Sequence, residues 1–494
     1  MACPTWSDTY DGAGSSVDEA FAAATDAAGT TLFAGGYETD TATSLPGVVI
    51  AYNMTTGTRK WITKHAGTHE VMLISTLQAT SDGTVVYGAG SNYSGGFAPC
   101  ATDVFALNGA TGAQLWDSPL PTGSGECQIY TDSKLSPDGS RLYVISDIRD
   151  AGVGGGVEQL LTAAFDTATG AQLWVAHAPI TGNGVEGWRI ALSPDGSRLY
   201  VASGVNGSFP EAPTSWMIFA YATSTGAQEW ATIYDCRHQG GVICAEPAAI
   251  AATSSRVYVV GGNLVTEVLA LSPVDGSQVW ETDLNPTQQN FIYVLDHPIA
   301  TATNGDVFVG YYQLDEQNVG GVNNNLKEWF ATARLAEADG SVLWTQQMEA
   351  NTPNNGTFCE GCGPVLTADA SGSNVYVSGA YPLGDSLLTT EALNASTGAQ
   401  EWNGLYLWSA GAEVDQLPEA ITTPSAGPGV AIVGGANNAT DTNPVVTCTI
   451  CYDFAALVYP SASPATSTPE VPFLPLVPLA AGVVALAVRR CRKW

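Results

Sequence analysis

The chain has 494 residues and carries 47 Asp plus Glu against 16 Lys plus Arg, a formal net charge of −31. That sign and size repel a phosphate backbone, so nucleic acid is not an expected partner. Only 13% of residues are charged, and 54 are Gly, a composition that keeps a large all-β protein soluble without saying what it binds.

Taken in chain order, Pro4-Thr5-Trp6 opens a short strand-like run. Seven repeats follow, each ending in a Gly, three residues, then a Trp: Gly57/Trp61, Gly112/Trp116, Gly170/Trp174, Gly226/Trp230, Gly276/Trp280, Gly340/Trp344 and Gly398/Trp402. The spacing of about 56 residues suits a four-stranded propeller blade. The unit from Arg189 to Tyr234 is the clearest. Ser193-Pro194-Asp195-Gly196 is tight-turn chemistry joining strands A and B, Leu199 to Val201 begin strand B, and Met217 to Tyr221 make strand C. Thr225-Gly226 then turns the chain into strand D, which carries Trp230.

An eighth unit begins near Glu419 and reaches a C strand at Tyr452 to Tyr459, but has no Gly-x3-Trp of its own. Its missing D strand is expected from residues 4 to 10, with Trp6 as the eighth repeat Trp. The ring then closes through its two ends and leaves no unpaired edge at the seam. The predicted fold is therefore all-β, an eight-bladed β-propeller of four-stranded antiparallel blades over residues 1–460.

Ala164 to Trp174, with Asp166, Thr169 and Gly170, matches the pattern Ala-x-Asp-x-x-Thr-Gly-x-x-x-Trp position for position. Ala106 to Trp116 and Ala392 to Trp402 match it with Asn in place of Asp. On these residues the chain resembles the PQQ-like propeller repeat family over about residues 4 to 460. The resemblance implies that the repeat Trp residues pack between blades. It leaves activity open, because the family holds quinone-dependent dehydrogenases beside non-catalytic assembly scaffolds.

Past Tyr459 the composition changes. Residues 461–470 are a Ser/Thr/Pro-rich stalk, and Val471 to Val488 hold no charge before the cluster Arg489-Arg490-Cys491-Arg492-Lys493. This predicts a hydrophobic C-terminal helix over 471–494, acting as a membrane anchor or a cleaved sorting signal, and a protein displayed at the cell surface. Residues 1–20 have neither a basic n-region nor an apolar core, which predicts that the natural chain starts upstream.

Strand alternation puts the B-to-C and D-to-A connections on one face of the disc. The long insertions fall there: Ser91 to Thr102, Asp147 to Gln159, Gly204 to Ser215, Gln313 to Lys327 and Ala436 to Thr447. Eight cysteines map to the same face. Cys236 with Cys244 and Cys100 with Cys127 are expected disulfides. Cys359, Cys362, Cys448 and Cys451 form two C-x2-C steps in neighbouring blades, for which disulfides are preferred over a four-thiolate zinc site. Cys3 and Cys491 are unassigned.

A quinone enzyme would need PQQ over the channel and a Ca²⁺ ion held by Glu, Asn and Asp. Glu70, Glu126, Glu186, Glu246, Asp296 and Glu413 cluster near the starts of A strands, but with irregular offsets, so they read as a solvated acidic rim. No adjacent Cys-Cys pair occurs. His65-x3-His69-Glu70 and Asp296-His297 do not match the helical H-E-x2-H arrangement and are not assigned as ligands. Trp188, Trp216 and Trp329, with Glu186, Glu246, Asp296 and His297, form the candidate binding face, to which Tyr93, Phe97, Phe209, Tyr311, Tyr312 and Trp408 add further aromatic groups. The function expected is a non-catalytic surface module that binds protein or glycan. The alternatives are a PQQ- or metal-dependent oxidoreductase and an envelope-assembly scaffold.

Overall fold

A repeat Gly succeeds at its position for two reasons, and both are visible in the computed structural model. Gly112 takes φ +71, a left-handed conformation that side chains resist, and a Cβ there would lie 2.7 Å from the indole of Trp61 in the preceding blade. The same contact recurs around the ring. Gly170 lies against Trp116, Gly226 against Trp174, Gly276 against Trp230, Gly340 against Trp280, Gly398 against Trp344, and Gly57 against Trp6. Each of those indoles also donates to a main-chain oxygen of the next blade, as Trp61 does to Gly109 O at 2.9 Å and Trp116 to Thr167 O at 2.9 Å. The Gly-x3-Trp spacing is thus an interlock between neighbouring blades. The Asn or Asp that precedes it holds the turn, since Asp166 Oδ1 accepts from the Thr169 N–H at 2.9 Å and its hydroxyl at 2.7 Å.

The structure describes residues 2–12, 17–40, 44–67, 70–94, 100–121, 131–150, 157–178, 185–205, 215–235, 247–262, 266–284, 298–316, 326–350, 364–381, 387–406, 417–426, 429–437 and 452–460. They form eight antiparallel sheets. Seven blades are built from consecutive strands; blade 1, for example, runs Glu19–Thr25, Thr31–Tyr37, Gly47–Asn53 and Arg59–His65 in spatial order. Blade 2 gains a short extra piece, Leu120–Pro121, which pairs with its C strand beyond Gln114–Asp117.

The eighth blade is closed by the chain's opening strand. Trp6–Tyr10 pairs antiparallel with Tyr452–Tyr459, with Trp6 opposite Val458 and Tyr10 opposite Phe454. Where their burial is described, the B and C strands are mostly buried, because each is sandwiched between two neighbouring blades. Successive clusters, such as Phe33, Val49 and Ala51 of blade 1 with Phe105 and Leu107 of blade 2, fill the spaces between sheets.

Several expectations are corrected. The B and C strands run beyond the expected insertion boundaries: Asp150 pairs with Val157, Tyr93 with Cys100, and Glu316 with Leu326. Antiparallel pairing continues there because main-chain hydrogen bonds need no apolar side chains. Among the described residues no helix is long and apolar enough to cross a membrane, contrary to the expectation of a membrane-anchored chain; residues 461–494, the expected stalk and tail, lie outside the described residues. No disulfide joins two described residues, and the disulfide pairs are withdrawn as well. Cys127, Cys236 and Cys244 lie outside the described residues, and Cys100 contributes strand backbone at the end of Cys100–Asn108. Cys3, which the sequence left unassigned, is itself disulfide-bonded.

Candidate metal centre between blades 1 and 2

The D strand Arg59–His65 alternates in exposure, and its inward positions Trp61, Thr63 and His65 all face blade 2. Trp61 and Thr63 hydrogen-bond Gly109 O and Gly112 O. His65 ends the series over the C strand Cys100–Asn108, where Asp103, Phe105 and Leu107 share the face turned to blade 1. Its ring stacks on Phe105, centroids 4.3 Å apart. Nε2 then lies 3.9 Å from Asp103 Oδ2 and 3.7 Å from Asp117 Oδ2, Asp117 being the last residue of the D strand Gln114–Asp117. The three ligand atoms fall within 4.8 Å of one another, so this group could hold a metal ion.

Its electrostatics follow from burial. His65 and Asp103 are only 3% and 2% exposed, whereas Asp117 reaches solvent at 32%. Burial lowers the His65 pKa below its ordinary value, against the Asp117 charge and a hydrogen bond with Gln114. Burial raises Asp103 to about 6; the Asp117 charge adds to this, and the Asn92 hydrogen bond opposes it. Asn92 Nδ2 donates to Asp103 Oδ2 at 2.6 Å. His65 Nε2 and Asp103 Oδ1 have no hydrogen-bond partner.

Sequence reading passed over Asp103 and Asp117 because it sought partners for His65 among its sequence neighbours. His69 lies outside the described residues, and Glu70 is exposed. A signal was present in the repeat register. Three residues before the residue paired with each repeat Trp, the chain places Val48, Asp103, Leu161, Met217, Glu267, Ala331 and Thr389. Four residues after the Trp of the preceding blade stand Tyr10, His65, Leu120, Ala178, Tyr234, Leu284 and Met348. Most of these joints are apolar, as in Leu120 with Leu161 and Leu284 with Ala331. Acids occupy two of them, Asp103 beside His65 and Glu267 beside Tyr234. Glu267 is pushed up to about 9 by burial and by Asp283 and Glu281, the Tyr234 hydrogen bond pulling it the other way.

The other expected site residues are dispersed. Trp216 is fully buried in the C strand Ser215–Ala222, its ring tilted against Tyr234 with centroids 5.4 Å apart, so it is core and not recognition surface. Tyr311 is likewise buried. Glu186 and Trp188 belong to the A strand Val185–Leu192, flanking an irregularity in its pairing, and not to a connecting loop. Trp329 sits in the C strand Leu326–Leu335. Glu246, Asp296, His297, Cys359, Cys362, Cys448 and Cys451 lie outside the described residues. A second set of acids at the blade 8 and blade 1 seam is internally paired: Glu38 accepts from Tyr10 and pairs with Lys64, and Asp18 accepts from the Gly12 and Thr39 N–H groups.

The family model described as "Outer membrane protein assembly factor BamB" matches residues 16–147 and 158–325, more than half of the chain. This chain belongs to that family. Among curated protein sequences none matches. Of solved structures, a quinohemoprotein alcohol dehydrogenase from Pseudomonas putida HK5 is similar over 95% of this chain and 77% of its own, with TM-score 0.51 and 12% identity. A europium-containing methanol dehydrogenase is similar over 92% of this chain and 93% of its own, with TM-score 0.48 and 12% identity. BamB from Moraxella catarrhalis covers 76% of this chain and 83% of its own, with TM-score 0.41 and 14% identity. At 12% identity, the likeness to the Pseudomonas putida HK5 enzyme speaks for the propeller fold alone.

Proposed function

We propose that this protein is a non-catalytic scaffold of the cell envelope that binds a protein partner through the face carrying its B-to-C and D-to-A connections. Membership of a family described by an assembly factor carries this reading. The layout of the chain supports it. The A-to-B and C-to-D turns are short and built to one pattern, with glycines such as Gly196 and Gly226 at φ +68 and +70. The insertions are confined to the opposite face, where variable loops on a rigid frame suit recognition. A net charge of −31 favours a partner surface that is basic or neutral.

The test is capture from envelope extracts by the full chain, compared with a chain in which the insertions at 206–214 and 317–325 are replaced by two-residue turns. Partners should be retained by the first and lost by the second. Retention by the shortened chain, or alcohol oxidation on adding pyrroloquinoline quinone and Ca²⁺, would overturn the reading.

A further inference from the structure

We propose that His65, Asp103 and Asp117 bind a divalent first-row transition-metal ion of the Zn²⁺ class, which ties blade 1 to blade 2 at the rim of the disc. The donors come from three separate strands in two blades: the end of Arg59–His65, the C strand Cys100–Asn108 and the D strand Gln114–Asp117. Their convergence is a product of the tertiary fold.

Two buried lone pairs point to a missing partner. His65 Nε2 and Asp103 Oδ1 accept nothing, on side chains 3% and 2% exposed. A buried acceptor without a partner costs about 1–3 kcal/mol, and a cation bound at His65 Nε2, beside Asp103 Oδ2 and Asp117 Oδ2, removes that cost at the imidazole. The separations fit. Tetrahedral coordination with bonds near 2.1 Å holds donor atoms about 3.4 Å apart. His65 Nε2 already stands 3.7 Å from Asp117 Oδ2 and 3.9 Å from Asp103 Oδ2, and all three donors lie within 4.8 Å of one another, so a modest contraction of the cluster brings them to coordinating distance.

The surroundings orient the donors. His65 Nε2 is unpartnered and stands beside both carboxylates, so its lone pair is available to a cation there. Asn92 fixes the Asp103 carboxylate at 2.6 Å. Gly67 in turn packs so closely on Asn92 that any Cβ there would overlap its side-chain amide. Asp117 is one-third exposed and opens the cluster to solvent, which can supply a water as fourth ligand. One imidazole and two carboxylates select a borderline cation; Ca²⁺ takes about six to eight oxygen ligands, and Mg²⁺ keeps most of its own water.

The experiment uses the full chain freed of metal by a chelator, titrated with Zn²⁺ by calorimetry and melted with and without the ion. Co²⁺ serves as the spectroscopic probe. The expected result is one ion per chain at this site, a rise in Tm on binding, and Co²⁺ d–d bands without a thiolate charge-transfer band. His65→Gln should weaken binding at least about tenfold. So should Asp117→Asn, which changes a partly exposed side chain and leaves the core intact. A wild-type chain whose Tm and Co²⁺ spectrum ignore the metal would sink the proposal. Binding that survives both substitutions, including binding through cysteine thiolates, would do the same.

Discussion

Trp402 packs against Tyr459 with ring centroids 5.4 Å apart, yet its indole N–H meets no acceptor. The corresponding indole of Trp280, almost equally buried, donates to Glu337 O at 2.8 Å. The difference lies in the following blade: blade 8 is closed by the separate strand Trp6–Tyr10, so it has no C-to-D turn of the kind whose carbonyl, as at Glu337, receives the bond.

Trp280→Phe and Trp402→Phe remove similar volumes from similar surroundings, so their difference isolates the hydrogen bond. Trp280→Phe strands the Glu337 carbonyl, while Trp402→Phe removes an unpaired donor. Chemical denaturation should show Trp280→Phe to be the more destabilising by about 1 kcal/mol or more. Equal losses would mean that the interlock depends on packing alone.

Gly112 and Gly139 share a positive φ, +71 and +72, but differ in space. A Cβ at Gly112 would overlap Trp61, whereas one at Gly139 meets nothing within 4 Å. Gly139→Ala should cost about 1 kcal/mol of backbone strain, and Gly112→Ala should cost roughly 2–4 kcal/mol because Trp61 must also move. Thermal melts of the two variants, run side by side, measure the gap.

Ring closure rests on residues 6–10, which pair with Tyr452–Tyr459. Deleting residues 1–10 should expose that strand edge, lower the Tm and raise aggregation measured by light scattering. A synthetic peptide of residues 2–12 should restore part of the loss by adding back the strand. Cys3→Ser, which keeps the strand, separates the disulfide's share.

Buried carboxylates make stability fall with rising pH. Glu267 is raised from 4.5 to about 9, Glu19 and Glu391 from 4.5 to about 7, and Asp18 from 3.8 to about 6, burial being the leading cause in each. The folded chain therefore holds these protons longer than the unfolded chain. Their contribution is full below about pH 4 and is lost progressively as pH rises toward 9. Glu267→Gln should flatten the stability curve between pH 4.5 and 9, with a difference on the order of a few kcal/mol at the alkaline end. Denaturation midpoints measured across that window test it; parallel curves for the two proteins would contradict the assignment.

The repeat alone determined the architecture. A Gly that must take positive φ and a Trp at fixed spacing are local demands, met in each unit and therefore legible one unit at a time; counting them gave eight blades, and the absent D strand of the last unit pointed to Trp6–Tyr10. Contacts that cross from blade to blade were beyond such reading. His65 was noticed with the wrong neighbours because its companions, Asp103 and Asp117, lie 38 and 52 residues away in the chain and meet it only when two sheets face each other. Trp216 reads as part of a binding face because no local pattern marks how far strand C extends; continued antiparallel pairing carries it into the core. Period and turn chemistry are encoded within a repeat, so the sequence fixes them. The partners of a side chain between blades depend on the register of two separate sheets, which only the closed ring sets.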